Sequence, residues 1–170
     1  MKKKIIITGG LGYIGTELCK LYSGVSWHHN VIVIDNRFIS ERVNQLRNWN
    51  MEFIQGDILD KDLIKKYCYD ADIVHHLAGV TEVPRTKTEA SKEQDEKIKE
   101  IGVKGTQNIL DVIHKKCKII FPSTHVVYEG INEVRTDISE DEAVNPVLSY
   151  ASSKAANEDQ LKKSGKNYII

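Results

Sequence analysis

Six short runs of β-branched and other apolar residues, separated by longer polar or amphipathic stretches, constrain the fold of this chain more than any other feature. Such runs predict strands buried on both faces, and most of the intervening stretches are long enough for helices. The predicted strands are residues 5–7, 31–34, 51–54, 72–75, 118–121 and 168–170, and the clearest predicted helices are residues 13–22, 60–67, 105–114 and 150–163. Strands that alternate with helices favour an α/β fold with a doubly wound parallel sheet.

The length of the chain and its lack of internal breaks predict a single domain. A chain of 170 residues, 41% of them hydrophobic, fills one sizeable core. The sequence has no internal repeat and no Gly/Ser-rich linker, so the predicted domain covers residues 1–170. Because the sequence stops within the sixth predicted strand, we expect the native protein to continue beyond it.

Charge and run length argue against several classes of function. The 24 basic and 24 acidic residues cancel, so no overall field attracts nucleic acid or an anionic membrane surface. The apolar runs are far shorter than the roughly 20 residues that span a bilayer. Three widely spaced cysteines, without a CxxC pair, favour a reduced, cytoplasmic protein with no metal site. The pair His75-His76 fits this view, because neighbours on a strand point to opposite faces.

One stretch, residues 82–100, is dense in Lys, Glu and Asp and almost free of large apolar side chains. We interpret it as a solvated loop followed by an exposed helix.

A glycine-rich turn follows the first predicted strand directly. Gly9, Gly12 and Gly15 let the chain turn tightly and let a pyrophosphate approach the backbone, while the next helix offers free N–H groups to the phosphates. The alternative is a simple turn between a strand and a helix. Asp35 ends the second strand 20 residues after Gly15, where a carboxylate accepts hydrogen bonds from an adenosine ribose. A carboxylate there favours NAD over NADP, although Arg37 keeps NADP as an alternative.

Six motifs, in order, span essentially the whole chain. They are TGGLGYIG at residues 8–15, GDI at 56–58, HLAG at 76–79, VKGTQNIL at 103–110, PSTHVVY at 122–128 and YASSK at 150–154. This ordered set resembles the extended short-chain dehydrogenase/reductase superfamily, and within it the NAD-dependent sugar epimerase/dehydratase group. The resemblance implies an NAD-binding Rossmann fold whose substrate-binding part lies largely beyond the sixth strand.

The resemblance also assigns roles to individual residues. The implied cofactor-binding residues are Gly9, Gly12, Tyr13, Ile14, Gly15, Asp35, Asn36, Asp57, Ile58, Leu77, Ala78, Gly79 and Lys154. The implied catalytic residues are Thr124, Tyr150 and Lys154, with Thr124 orienting a substrate hydroxyl. Lys154 follows Tyr150 by four positions on a predicted helix, so both share one face. A nearby cation favours phenolate and predicts a pKa for Tyr150 below its usual value of about 10, as a general base needs.

Three departures from the family pattern bear on function. Dehydratases and sugar decarboxylases of the group usually have a Glu two positions after the catalytic Thr, whereas this chain has His125 and then Val126. This argues against those activities. Gly102 replaces an Asn that normally ties the helix to the active-site strand, and Glu129 intervenes where Tyr-Gly is usual. We therefore expect less rigidity at Gly102 and a differently shaped loop after Tyr128.

The leading hypothesis is an NAD-dependent epimerase that acts on a nucleotide sugar, or a close oxidoreductase. The alternatives are a nucleotide-sugar reductase or dehydratase, a non-catalytic NAD-binding sensor, and an S-adenosylmethionine-dependent methyltransferase, which shares the strand, glycine turn and helix. The resemblance further implies a homodimer formed through helices at residues 96–114 and 149–163.

Overall fold

A six-stranded parallel sheet forms the centre of the computed structural model, which describes residues 2–80, 89, 91–131, 133 and 135–170. The strands are β1 (Lys4–Thr8), β2 (Asn30–Asp35), β3 (Glu52–Gln55), β4 (Ile73–His76), β5 (Lys118–Ile120) and β6 (Asn167–Ile169). Their order is β3-β2-β1-β4-β5-β6, and every adjacent pair is parallel. All six predicted strands and the doubly wound sheet are confirmed.

Six α-helices cover the two faces of the sheet within the described residues. They are α1 (Tyr13–Ser23), α2 (Ser40–Asn48), α3 (Lys61–Cys68), α4 (Lys92–Lys99), α5 (Gly105–Val112) and α6 (Ser149–Lys163). Two 3-10 helices span Ser26–His28 and His125–Tyr128, and a π-helical turn, Glu100–Lys104, joins α4 to α5. None of the helices in the described part of the chain is long and apolar enough to cross a membrane.

Alternate side chains of β1 enter two separate cores. Ile5 and Ile7 pack among apolar residues of α1 and α2, whereas Ile6 packs among residues of α3, α5 and α6. Both faces of the central strands are therefore buried, which explains why their sequences are nearly continuous apolar runs. Since the strand order reverses between β1 and β4, a crevice opens at the carboxyl ends of these two strands, where open α/β sheets bind ligands.

The charged stretch is less exposed than its composition indicated. Residues 82–88 and 90 lie outside the described residues, but α4 packs against α6, and its Ile98 is only 2% exposed. Side chains of α6 also reach the π-helical turn: Asn157 Nδ2 donates to the Gly102 carbonyl at 3.1 Å, and Gln160 Nε2 donates to the Val103 carbonyl at 3.0 Å. The prediction of an exposed helix is confirmed for most of α4, and only Ile98 of this helix is buried.

The three cysteines are fully buried and form no disulfide. Cys19 lies in α1, Cys68 ends α3 and Cys117 directly precedes β5. Burial raises the thiol pKa to about 12 for Cys19 and Cys68 and to about 11 for Cys117. All three thiols therefore stay protonated at neutral pH.

Candidate active site

The glycine turn between β1 and α1 has backbone packed against backbone. Gly9 has a φ of +68°, and a Cβ placed on it would lie 2.6 Å from the Ala78 nitrogen. A Cβ on Gly15 would lie 2.5 Å from the Gly10 Cα. These positions exclude any side chain. At the start of α1, Gly12 provides no side-chain cap, so the first N–H groups of the helix remain available to an anion.

A cavity of about 300 Å³ opens beside this turn, at the crevice between β1 and β4. The predicted site residues that line it are Gly9, Gly12, Tyr13, Ile14, Gly15, Leu77, Ala78, Gly79, Tyr150 and Lys154. The structure therefore brings the phosphate-binding turn, the segment after β4 and the Tyr-Lys pair of α6 together around one space.

Asp35, Asn36 and Asp57 lie outside the lining of this cavity, at the carboxyl ends of β2 and β3. The buried Asp35 carboxylate accepts hydrogen bonds from the backbone nitrogens of Leu11 and Arg37, each at 3.0 Å. Asn36 Nδ2 donates to Asp57 Oδ2 at 3.1 Å, which joins two of the predicted adenosine-binding residues. The Ile58 side chain belongs to the hydrophobic core, so only the backbone of this residue is suited to a ligand.

Lys154 is held deep in the cavity by the end of β5. Its Nζ donates to the Pro122 carbonyl at 2.8 Å and lies 4.3 Å from the centre of the Phe121 ring. Burial lowers the pKa of Lys154 to about 8, because the charged ammonium loses much of its hydration.

Tyr150 does not have the lowered pKa that its spacing from Lys154 predicted. Its ring centre is 6.0 Å from Lys154 Nζ, and burial raises the pKa of the phenol above its usual value. The prediction is wrong because desolvation of Tyr150 favours the neutral phenol, while the nearby Lys154 Nζ donates its hydrogen bond to Pro122.

Thr124 is the predicted catalytic residue that the structure leaves out of the cavity lining. It caps the start of the 3-10 helix after β5, where its Oγ1 accepts a long hydrogen bond of 3.4 Å from the Val126 nitrogen. The neighbouring Ser123 lines the cavity instead, and its hydroxyl donates to Glu158 Oε1.

Sequence reasoning missed several cavity residues, among them Ile98, Gly102, Ser153 and Asn157. For Asn157, the spacing in the sequence could have predicted its place in the cavity. Asn157 follows Tyr150 by seven positions and Lys154 by three, so it shares their face of α6. The position of Gly102 depends on α6 as well, because a Cβ there would overlap the Ser153 hydroxyl. The hydrogen bond from Asn157 ties Gly102 to α6, whereas the lower rigidity expected at this position stays a prediction.

The two adjacent histidines of β4 face opposite sides of the sheet, as predicted. His75 Nε2 lies 2.8 Å from the Tyr22 hydroxyl, whereas His76 bridges the hydroxyls of Thr8 and Thr106 at 2.9 Å each. Burial lowers the pKa of His76 to about 3, so its ring stays neutral. Thr8 Oγ1 also accepts a hydrogen bond from the Ala78 nitrogen at 3.3 Å. This series of buried hydrogen bonds fixes one wall of the cavity.

Glu129, the extra residue after Tyr128, anchors the segment that leads into α6. Its Oε1 accepts hydrogen bonds from the backbone nitrogens of Val147 and Leu148, directly before the helix that carries Tyr150. A carboxylate at a helix N-terminus is also favoured by the helix dipole.

The residues around the crevice fit a dinucleotide. The side-chain-free turn and the uncapped start of α1 suit a pyrophosphate, and a carboxylate stands at the end of β2. Among the described residues, no three His, Cys, Asp or Glu side chains converge as a metal site would require.

Comparison with known proteins agrees with this geometry. The sequence model of the NAD dependent epimerase/dehydratase family matches residues 5–170. Relatives include a dTDP-D-glucose 4,6-dehydratase of Dictyostelium discoideum, 30% identical over 99% of this chain and 42% of the relative. A putative UDP-glucose 4-epimerase of Methanocaldococcus jannaschii is 33% identical over 98% of this chain and 52% of the relative. This chain spans about half the length of these curated relatives.

Solved structures show the same likeness. The WbmH enzyme of Bordetella bronchiseptica, in complex with NAD+, is 28% identical, with a TM-score of 0.79 over 98% of this chain and 53% of that one. A UDP-glucuronic acid 4-epimerase from Bacillus cereus, in complex with UDP-glucuronic acid and NAD, is 27% identical. Its TM-score is 0.77 over 100% of this chain and 55% of that one.

Proposed function

The chain belongs to the NAD dependent epimerase/dehydratase family, and from this premise we propose that it binds NAD and supports hydride transfer at a hydroxyl-bearing carbon of a nucleotide sugar. The observation that carries the proposal is that Tyr150 and Lys154 line the same cavity as the glycine turn. Family membership also removes the methyltransferase alternative.

Each part of the chain would contribute a separate task. Bound NAD would accept the hydride. The turn at Gly9 to Gly15 and the start of α1 hold the pyrophosphate, and Asp35 accepts the adenosine ribose hydroxyls. Lys154 would bind NAD near the end that accepts the hydride, since its ammonium lies 6.0 Å from the centre of the Tyr150 ring. In its phenolate form, Tyr150 Oη would take the proton of the sugar hydroxyl while NAD accepts the hydride from the same carbon. Because burial raises the pKa of Tyr150, this role requires the Lys154 ammonium to turn from the Pro122 carbonyl toward the phenol.

Thr124 belongs to the proposal as the residue that orients the substrate hydroxyl. It stands at the end of β5, two residues after the carbonyl that holds Lys154. Its bond to the Val126 nitrogen is long at 3.4 Å, so a substrate oxygen competes with it at small cost. Val126 offers no carboxyl group for acid or base catalysis, which favours an epimerase or a reductase over a dehydratase.

The test combines binding with turnover. Calorimetry with NAD should show binding that Asp35→Ala weakens. Because this chain spans about half the length of its relatives, turnover is measured in protein of the relatives' full length. There, interconversion of UDP-glucose and UDP-galactose, or of the corresponding uronic acids, should require NAD and fall at least about a hundredfold in Tyr150→Phe, the scale of a lost general base. Tyr69→Phe, at a side chain that is 57% exposed, is the matched control and should keep full activity. Equal activity in the two Tyr variants would contradict the assignment of Tyr150.

A second candidate is an NAD-binding protein without turnover. The place of Thr124 outside the cavity lining favours it. In protein of the relatives' full length, binding of NAD without any sugar conversion, with the Tyr150→Phe variant behaving identically, would support this alternative over the first.

A homodimer is part of the proposal as well. Ile98, Ile109 and Ile113 are buried within the chain, so a partner would contact other residues of these helices. An open groove between the π-helical turn and α6 is lined by Val103, Gln107, Ser152, Ala156 and Gln160, among others, and suits a second copy. The buried, unpaired cysteines support a reducing compartment such as the cytoplasm.

A further inference from the structure

Glu129 connects the two segments that carry the proposed catalytic hydroxyls. Its Oε1 accepts hydrogen bonds from the backbone nitrogens of Val147 at 2.7 Å and Leu148 at 2.5 Å. Glu129 directly follows the 3-10 helix that Thr124 caps, whereas Leu148 directly precedes α6, in which Tyr150 is the second residue. One carboxylate oxygen therefore joins the end of the Thr124 segment to the start of the Tyr150 helix.

Further hydrogen bonds beside those of Glu129 bind the same two segments. The Gly130 nitrogen donates to the Asn145 carbonyl and Asn145 Nδ2 donates to the Gly130 carbonyl, each at 2.8 Å. The Asn145 nitrogen donates to the Val127 carbonyl, also at 2.8 Å. These three bonds hold Val127 and Gly130 against Asn145, and Glu129 extends the attachment to the two residues next to α6.

The backbone at the start of α6 has Glu129 as its carboxylate partner. Leu148 stands at the N-cap position, where its side chain makes no capping hydrogen bond. Asp95 of α4 reaches this end of the helix too, but its Oδ1 accepts from the Ser149 hydroxyl and not from a backbone nitrogen. Glu129 thus takes the place of the carboxylate of a capping box, which accepts from the N-cap nitrogen and is favoured by the helix dipole.

Tyr150 is the site residue of α6 that lies nearest to this attachment. Lys154, one turn further along, has its own hydrogen bond to the Pro122 carbonyl at 2.8 Å. Glu129 lies outside the lining of the cavity, so the effect of its carboxylate on the cavity passes through the start of α6. A shift of that start would move the Tyr150 hydroxyl first.

We propose that Glu129 is a positioning residue for hydride transfer: it holds the start of α6 so that Tyr150 Oη keeps its place relative to Thr124. Glu129 acts through Tyr150 and contacts neither the sugar nor the cofactor. This inference rests on the proposed function, and it gives a task to a residue by which this chain departs from the family pattern.

The test is steady-state kinetics of NAD-dependent sugar conversion in protein of the relatives' full length. Glu129→Ala should lower kcat about tenfold to a hundredfold, the scale of a small misplacement of reacting groups. The KM should stay within about twofold, because Glu129 lies outside the cavity lining. Glu140→Ala is the matched control, since Glu140 is an exposed residue of the same connection and its loss makes the same change in charge. This control should keep both kcat and KM.

Glu129→Gln separates the hydrogen bonds from the charge. The side-chain oxygen of glutamine accepts the same two backbone hydrogen bonds, so kcat should return to within a few fold of the unsubstituted protein. This variant also serves if Glu129→Ala folds poorly, which urea unfolding and calorimetry with NAD would reveal.

A double variant tests whether Glu129 acts through Tyr150. In the Tyr150→Phe background no phenol remains to be positioned, so adding Glu129→Ala should lower the residual activity by no more than about twofold. A further loss of tenfold or more in this background would mean that Glu129 supports the fold in general, and would overturn the inference.

Three other results would overturn it as well. They are an unchanged kcat in Glu129→Ala, an equal fall of kcat in Glu140→Ala, and a change confined to KM. In each of these cases NAD-dependent turnover that Tyr150→Phe abolishes leaves the proposed function standing. Absence of turnover in the unsubstituted protein would overturn both.

Discussion

The glycine turn and the catalytic helix α6 are positioned by different means. The turn is fixed by backbone atoms that leave no room for side chains at Gly9 and Gly15. Helix α6 is held by side-chain hydrogen bonds to other segments, such as those from Asn157 to Gly102 and from Lys154 to Pro122. Packing of backbone on backbone has no flexible partner that can give way, whereas hydrogen-bonded side chains can rearrange.

The difference separates two kinds of requirement. A site for a pyrophosphate needs one fixed arrangement of N–H groups, and a rigid turn provides it. A site for acid and base chemistry needs groups whose proton affinity differs from its ordinary value, and burial raises the pKa of Tyr150 and lowers that of Lys154 to about 8. We therefore expect substitutions in the turn to cost stability and substitutions around α6 to alter proton affinities and alignment.

The largest effect should come from a side chain in the turn. Gly9→Ala places a Cβ against the backbone of Ala78 at a φ of +68°, and we expect a loss of about 3 kcal/mol or more in the free energy of unfolding. Gly24→Ala is the control, because no atom lies within 4 Å of its Cβ position and its φ is −68°. Urea unfolding should show the control unchanged or stabilised by about 0.5 kcal/mol. Equal stability of the two variants would break the comparison.

A smaller effect should appear in the pH dependence of stability. The pKa of Lys154 is about 8 in the folded chain and near 10.5 when unfolded, so the unfolded state binds more protons between these values. Stability contributed by Lys154 therefore rises as pH increases from about 8 to about 10.5. Relative to Lys154→Met, which removes the titration, the unsubstituted chain should gain about 2 kcal/mol over this window, allowing for partial solvation.

Unfolding curves of both proteins at several pH values would measure this gain, and their difference cancels the cysteines, which titrate in the same alkaline range. A difference that stays constant from pH 7 to pH 10.5 would mean that Lys154 is not desolvated in the folded chain.

The smallest effect should follow from cutting one hydrogen bond between α6 and the π-helical turn. Asn157→Ala removes the donor to the Gly102 carbonyl in a site that is 2% exposed, and should cost about 1 to 2 kcal/mol. Asn48→Ala, at an exposed position of α2, should change stability by no more than about 0.5 kcal/mol. If Asn157→Ala changed the free energy of unfolding no more than Asn48→Ala does, side-chain hydrogen bonds would not hold α6 in place.

Features fixed by local packing, such as the strands and the glycine turn, were predictable from the sequence, whereas features fixed by side-chain bonds to distant segments were not. Strands such as β1 and β2 were predicted because burial on both faces leaves a continuous apolar run. The turn was predicted because steric exclusion leaves only glycine as a choice. Both signals are local, and a single segment suffices to read them.

The parts that were missed depend on partners distant in sequence. The π-helical turn, Glu100–Lys104, is bonded by α6, some 55 residues further along the chain. The prediction for Tyr150 failed because spacing places Lys154 on the same face of the helix but does not reveal the burial that raises the pKa of the phenol, or that Pro122 accepts the ammonium hydrogen bond. Thr124 was placed correctly at the end of β5, yet the direction of its hydroxyl depends on the following 3-10 helix.

The three buried cysteines make the chain its own reporter of local opening. A thiol-specific reagent reacts only when a sulfur becomes accessible and ionises, so at neutral pH the intact fold is inert to it. Cys19 would register opening beside the glycine turn, Cys68 opening of the α3 face and Cys117 opening at the start of β5. Mass spectrometry after a pulse of reagent could thus rank the three regions by how often each opens, without any engineered cysteine.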